Sequence, residues 1–391
     1  MKTRAGLTTL LAALVVACGP APRPSAPLSG TLPTPSVSTA IASASPSPGM
    51  PDLTIHKIPQ SETTALMDAT TDGHEIVWSR GPADSTSGAA PDMYSFKPGI
   101  AGPTLIFRDS DAGVQLSPLA VHSGRYAFVE VFNRPGGGDQ SGWRLWYISA
   151  SGQKPIMVDT SESDPATFAS VVPQISLTDS ALIWTAVHLV NGKTNYFLRS
   201  YSTQTLKTSN LLASAAATTE YWFPNADDQG RLVYGTVEYA PPDAAPAFHV
   251  YLADLTKTPL QPRRLDAAGN AANPVLTGGE VIWRTVTSNI SDWGQAIRFS
   301  LSSGTTSAVS FQYETKLQYI SAGGRFLAPW FWDNTVFELF DLATNKPVLV
   351  KKYDPTSSSA VVRPVAAGNL VIFIIGEDPP GSPLQLCWIR P

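Results

Sequence analysis

From about Leu53 onward the chain alternates apolar and polar residues in short runs broken by Gly, Asp and Ser, with no amphipathic helix of ordinary length. Period-two alternation sends successive side chains to opposite faces of a strand, so the pattern predicts an all-β domain. One unit recurs: a short inner segment, a Gly or Asp/Ser turn, then an apolar run with an aromatic. The copies read DGHEIVW (72–78), SGRYAF (123–128), DSALIW (179–184), QGRLVY (229–234), GGEVIW (278–283), GGRFLA (323–328) and AGNLVI (367–372). A proline precedes several of them, as at Pro118, Pro173, Pro224, Pro274 and Pro364. A second element follows each copy across a loop: MYSFKPG (93–99), LWYISASG (145–152), FLRSYSTQT (197–205), VYLADLTKT (250–258), IRFSLSSGT (297–305), VFELFDLATNK (336–346) and LQLCWIRP (384–391). A short apolar run then closes the unit, for example PTLIF (103–107), PIMV (155–158) and PVLV (347–350).

The repeat therefore holds four strands, A to D, in about 45–55 residues, the signature of a β-propeller blade. A single blade leaves both faces uncovered; packing blades around an axis buries the faces and leaves only short edges. Seven copies predict seven blades. The last copy lacks its D strand, while LTIHKI (53–58) precedes the first blade. That segment is expected to supply the missing outer strand and close the ring.

Two features carry a family likeness. One is the Pro-x-φ…Gly-x-φ-φ-aromatic half of each repeat, where φ is an apolar residue. The other is the aromatic-φ-φ-Asp-φ-x-Thr turn, clearest in FELFDLATNK. In these the chain resembles the TolB-like (PD40-type) propeller domains of bacterial exported proteins over most of its β region. The resemblance implies the fold more than any activity. The Trp-Asp that ends the third strand of WD40 blades is absent, and so is the regular Gly-Gly of kelch repeats.

The first 52 residues are of another kind. Lys2 and Arg4 open a short positive region, and Ala5 to Ala17 is apolar or small apart from Thr8 and Thr9. This is the pattern of a secretory leader, too short for a stable membrane span. It ends Val15-Val16-Ala17-Cys18, which resembles the lipobox of bacterial lipoproteins. The resemblance implies cleavage after residue 17 and acylation of Cys18, and hence anchoring on the extracytoplasmic side, at the cell surface or in the periplasm. Two or three acyl chains hold stably where one does not. Residues 18–52 then form a Pro/Ser/Thr/Ala tether that cannot bury enough surface to offset its ordering entropy. It can reach on the order of 30 Å as a coil. The domain plan is 1–17 leader, 18–52 tether and 53–391 propeller.

Charge and cysteine usage narrow the partners. Loss of Lys2 and Arg4 takes the formal charge from −4 to −6 (−4 − 2). Nucleic acid is thereby disfavoured, and so is an anionic bilayer beyond the lipid itself. With Cys18 acylated, Cys387 has no partner, so a monomeric domain is held by its core rather than by disulfides. There is no Gly-x-Ser-x-Gly, no His-Glu-x-x-His, no close Cys/His set and no calcium-loop spacing. The five histidines lie far apart and read as surface or strand residues, and the sequence calls for no cofactor and no metal.

Two functions remain open. Among the inner strands only Asp68 and Asp227 are acidic, with Asp228 just beyond; a pair across the channel would permit acid–base work on a glycan. Against this, the B–C loops, which alternation places on one face, are rich in acids and aromatics. Trp143, Tyr239, Asp243, Trp293, Trp332 and Asp333 are the candidate contacts to a protein, peptide or cell-wall glycan. The binding or scaffold reading is favoured, and the glycan-acting enzyme is the alternative.

Overall fold

The computed structural model describes residues 55–58, 65–81, 90–100, 102–111, 113–133, 141–164, 171–215, 218–239, 245–286, 294–312, 317–331, 336–352, 360–376 and 384–390. They form seven four-stranded antiparallel sheets, a seven-bladed β-propeller without helices among the described residues. Six blades are continuous: 65–108, 115–160, 175–215, 219–264, 271–309 and 317–352. The seventh combines Ala360–Ala367, Leu370–Gly376 and Gln385–Ile389 with the N-terminal strand His56–Lys57. The expected closure is present. His56 pairs with Trp388 and Lys57 with Cys387, and the Ile58 N–H donates to the Leu386 carbonyl at 2.9 Å. The His56 ring stacks on Trp388 with centroids 4.3 Å apart, and Ile58 is buried beside Leu386 and Leu370.

The hydrophobic core is divided into layers between blades, and every one of the seven junctions has one. Val77 and Met93 meet Phe128 and Leu119 between blades 1 and 2. Trp143, Leu145 and Tyr147 meet Leu182 and Trp184 between blades 2 and 3. Corresponding clusters join blades 3–4, 4–5, 5–6, 6–7 and 7–1. Second strands are covered on both faces, which is why Ile76–Gly81 is buried at every position and IVW, LIW and VIW run apolar without alternating. Each fully buried Leu, Ile or Phe stabilises by roughly 1.5–3 kcal/mol, so the layers replace the absent disulfides. Outer strands are short or charged, as in the exposed pair Arg263–Arg264, which discourages edge-to-edge pairing.

The inner strands carry a second device. Six of them show a register break, and in four the two unpaired residues end in proline: Ser117-Pro118, Phe223-Pro224, Asn273-Pro274 and Arg363-Pro364. A proline cannot donate to the ladder, so it sits where the ladder is already broken. Polar inner-strand side chains accept a backbone N–H from the next blade. Asp68 takes Leu119, Ser176 takes Ala226, Asn225 takes Leu276 and Ser321 takes Ala366. Blades are thus registered at the axis by hydrogen bonds and farther out by apolar packing.

Candidate binding face

Strand direction alternates within a blade, so A–B and C–D turns share one face and B–C loops and D–A connections share the other. On the loop face, polar and aromatic groups gather in the grooves between blades. In the groove between blades 1 and 2 there is a cavity of about 560 Å³ lined by Asp111, Val114, Phe132, Asn133, Arg144 and Glu162, among others. The blade-2 strands Arg125–Asn133 and Ser141–Ile148 build its wall. Phe132 lies across from Gly142, where a Cβ would collide with its ring, and the Arg144 guanidinium stacks over that ring at 4.5 Å. Arg144 donates to Glu130 and to Glu162, each at 2.6 Å, while Trp146 Nε1 donates to Glu130 at 2.7 Å. Burial raises the Glu130 pKa above the ordinary carboxylate value, with Trp146 and Arg144 pulling against it.

One groove further on lies an ionic network. His188 Nδ1 is 2.7 Å from Asp164 and Nε2 is 3.4 Å from Asp159. Asp159 Oδ2 also accepts from Trp184 Nε1 and Arg199, both at 2.7 Å. Burial alone would raise the Asp159 pKa, but His188, Arg199 and Trp184 outweigh it and hold the carboxyl below its ordinary value. Burial likewise opposes the His188 charge, and Asp159 and Asp164 outweigh it, raising that pKa. Between blades 3 and 4, Glu220 accepts from Tyr239 at 2.9 Å and from Trp222 Nε1 at 3.0 Å. Burial and Glu220 both raise the Tyr196 and Tyr239 pKa values, so these phenols stay protonated donors.

The expected contact residues fare differently. Tyr239 is on the loop face and 48% exposed, with its hydroxyl anchored on Glu220. Trp143 is a correction: it lies within Ser141–Ile148 and is 0% exposed, packed in the layer between blades 2 and 3. Its neighbours alternate, Trp143, Leu145 and Tyr147 facing blade 3 and Trp146 packing toward blade 1, so it belongs to the core and cannot meet a partner. Asp243, Trp293, Trp332 and Asp333 lie outside the described residues, as does Cys18.

The carboxylates considered for catalysis are engaged in building the ring. Asp68 is buried and accepts from Ser117 Oγ and the Leu119 N–H, both at 3.1 Å. Asp227 caps its own A–B turn, accepting the Gln229 and Arg231 N–H groups and pairing with the Arg231 guanidinium. The residues that sequence reasoning missed are Phe132, Arg144, Glu162, His188 and Glu220. Their partners lie in other strands or connections, and only the alternation around Trp143 and Arg144 gave a local signal.

No family model matches the sequence, and no curated protein matches it. Solved structures match in fold. A prolyl endopeptidase superposes with a TM-score of 0.58 at 12% identity, over 84% of this chain and 47% of that one. The β-propeller domain of the Trilobed protease from Pyrococcus furiosus gives 0.56 at 8% identity, over 84% and 96%. An oligogalacturonate lyase in complex with manganese gives 0.51 at 12%, over 87% and 90%. The chain spans about half the length of the prolyl endopeptidase it matches. At these identities the likeness establishes the propeller and no activity.

Proposed function

We propose that this chain is a lipid-anchored, extracytoplasmic propeller that binds or scaffolds a protein, peptide or cell-wall glycan through its loop face. The observation that carries the reading is the cavity of about 560 Å³ with Asp111, Arg144 and Glu162 around the Phe132 ring. Its size is in the range of ligand pockets. Its charged groups include two half-exposed or exposed carboxylates, against an arginine already paired to both Glu130 and Glu162. That balance favours neutral or cationic groups on the partner. The leader and Cys18 support anchoring, and the Pro/Ser/Thr/Ala segment after them supports a spacer. The glycan-acting alternative has less support, because Asp68 and Asp227 each hold structural hydrogen bonds.

Two experiments test this. Cys18→Ser should leave the protein unlipidated and release it from membranes; persistent membrane fractionation of that variant refutes the anchor. An envelope-protein and glycan pull-down should compare wild type with Asp111→Ala/Glu162→Ala and with Trp293→Ala/Trp332→Ala. The reading expects a partner retained by wild type and weakened in a loop-face variant whose melting temperature is unchanged. Equal retention by both variants would remove the loop face as the binding surface.

A further inference from the structure

The A–B turns of blades 2, 3 and 4 converge on the face opposite the cavity. His122 ends the inner strand Gln115–His122, and Asp179 and Asp228 sit in the next two A–B turns. His122 Nε2 is 3.0 Å from Asp228 Oδ2 and 3.5 Å from Asp179 Oδ1, and the three ligand atoms all lie within 4.8 Å of one another. A metal bound at about 2.0–2.1 Å has neighbouring ligand atoms roughly 2.8–3.4 Å apart in octahedral or tetrahedral shells. The 3.0 Å distance from His122 to Asp228 fits such an edge, and the 3.5 Å distance to Asp179 is slightly longer.

Three further observations point to a cation. The His122 Nε2 atom is fully buried yet makes no aligned hydrogen bond, although a carboxylate oxygen is 3.0 Å away. Next, both carboxylates are fixed in place. The Asp179 backbone N–H donates to Asp228 Oδ1 at 2.8 Å, leaving Oδ2 turned to His122, and Arg125 donates at 2.6 Å to Asp179 Oδ1, the same oxygen that faces His122, which keeps a second lone pair for an ion. Such outer hydrogen bonds orient metal ligands. Finally, the surrounding charge is negative. Asp72 accepts the Ser123 N–H beside His122, and Asp227 adjoins Asp228, while among the described ion pairs here the cations are Arg125 on Asp179 and Arg231 on Asp227.

We propose that His122, Asp179 and Asp228 form a site for a divalent transition-metal ion, zinc foremost, that ties blades 2, 3 and 4 together at their turns. One imidazole and two carboxylates suit zinc, bind manganese more weakly and offer little to magnesium or calcium, which prefer all-oxygen shells. The Asp179 and Asp228 side chains are 56% and 46% exposed, so open coordination positions face solvent.

The test is calorimetric titration of the EDTA-stripped full-length protein with zinc, manganese and magnesium chlorides, with melting temperatures measured alongside. The site predicts one zinc per chain, weaker manganese, no measurable magnesium, and a melting temperature raised by zinc. His122→Ala and Asp228→Asn should each weaken zinc binding by about tenfold or more. The asparagine keeps an acceptor for the Asp179 N–H, so its fold should match wild type in EDTA. Absence of zinc binding to wild type, or binding unchanged in both variants, overturns the site. Zinc bound equally by His122→Ala but lost on Cys18→Ser would place the ion on the leader thiol and overturn it too.

Discussion

The two faces of the ring are made by the same strands but joined in different ways. On the turn face every blade junction is locked by its A–B turns. Ser123 N–H meets Asp72, Arg125 meets Asp179, Asp179 N–H meets Asp228, Arg231 meets the Gly278 carbonyl and Thr277 meets the Gly324 carbonyl. The last two junctions are backbone against backbone: a Cβ on Gly324 would strike Gly368, and one on Gly73 would strike Ala367. Among the described residues of the loop face the polar groups form separate clusters, with a cavity beside one and an exposed tyrosine beside another. A continuous collar sets the ring's geometry, and that leaves the opposite rim free to vary in residue and shape. This is the usual division between a rigid scaffold and the loops that carry recognition.

The sharpest way to break the comparison is to damage the collar. Gly324 has φ near +55° as well as a blocked Cβ position, so Gly324→Val combines backbone strain with overpacking. It should cost about 3 kcal/mol or more, read by chemical denaturation. A loss under about 0.5 kcal/mol would mean that the turn contacts do not hold the ring. Comparable in size is the loss of the closing strand, on which both faces depend. Removal of residues 19–50 should leave the melting temperature almost unchanged, whereas removal of 19–59 also deletes buried Ile58 and the pairing with Trp388 and Cys387. Ile58 alone is worth about 2–5 kcal/mol. Equal melting temperatures for the two truncations would refute the closure.

The loop face should respond to pH more than to single truncations. The raised His188 pKa means its contribution to stability is complete below the ordinary value of 6.5 and is lost as pH rises through the folded value. The lowered Asp159 pKa works in the other direction, its contribution being present above the ordinary 3.8 and lost as pH falls. Asp341, held down to about 2 by Arg325, adds to the acid limb from the blade-6 turn. The His188 ring should titrate above 6.5 by NMR, and His188→Gln should flatten the alkaline side of the stability profile and also weaken the acid side, because His188 helps hold the Asp159 carboxyl below its ordinary value. A His188 titration at or below 6.5 would contradict the network.

Much of the scaffold was legible because its signals are local. The Gly or Asp/Ser turn and the apolar second strand recur within each repeat, and a proline marks the inner-strand bulge in four of them, so blade number and ring closure could be read along the chain. Trp143 was misplaced because Gly142, Trp143 and Arg144 look like loop composition. In the fold Gly142 makes room for Phe132, and Trp143 begins the inward alternation of its strand. The loop-face clusters were illegible for a different reason. His188 and Asp164 are 24 residues apart, and Arg199 and Asp159 are 40 apart. The turn-face trio His122, Asp179 and Asp228 draws on three blades. No pattern within one repeat announces such pairings; only the rotation of one blade onto the next brings them together.

Carboxylate and tyrosine footprinting of the protein, free and bound to envelope fractions, tests the division between the faces most directly. Both faces carry reporters: Asp111, Glu162 and Tyr239 on the loop side, Asp179 and Asp228 on the turn side. The account predicts that binding slows modification of Asp111, Glu162 and Tyr239 and leaves Asp179 and Asp228 unchanged. Protection confined to Asp179 and Asp228, with the loop-side groups still reactive, would contradict it.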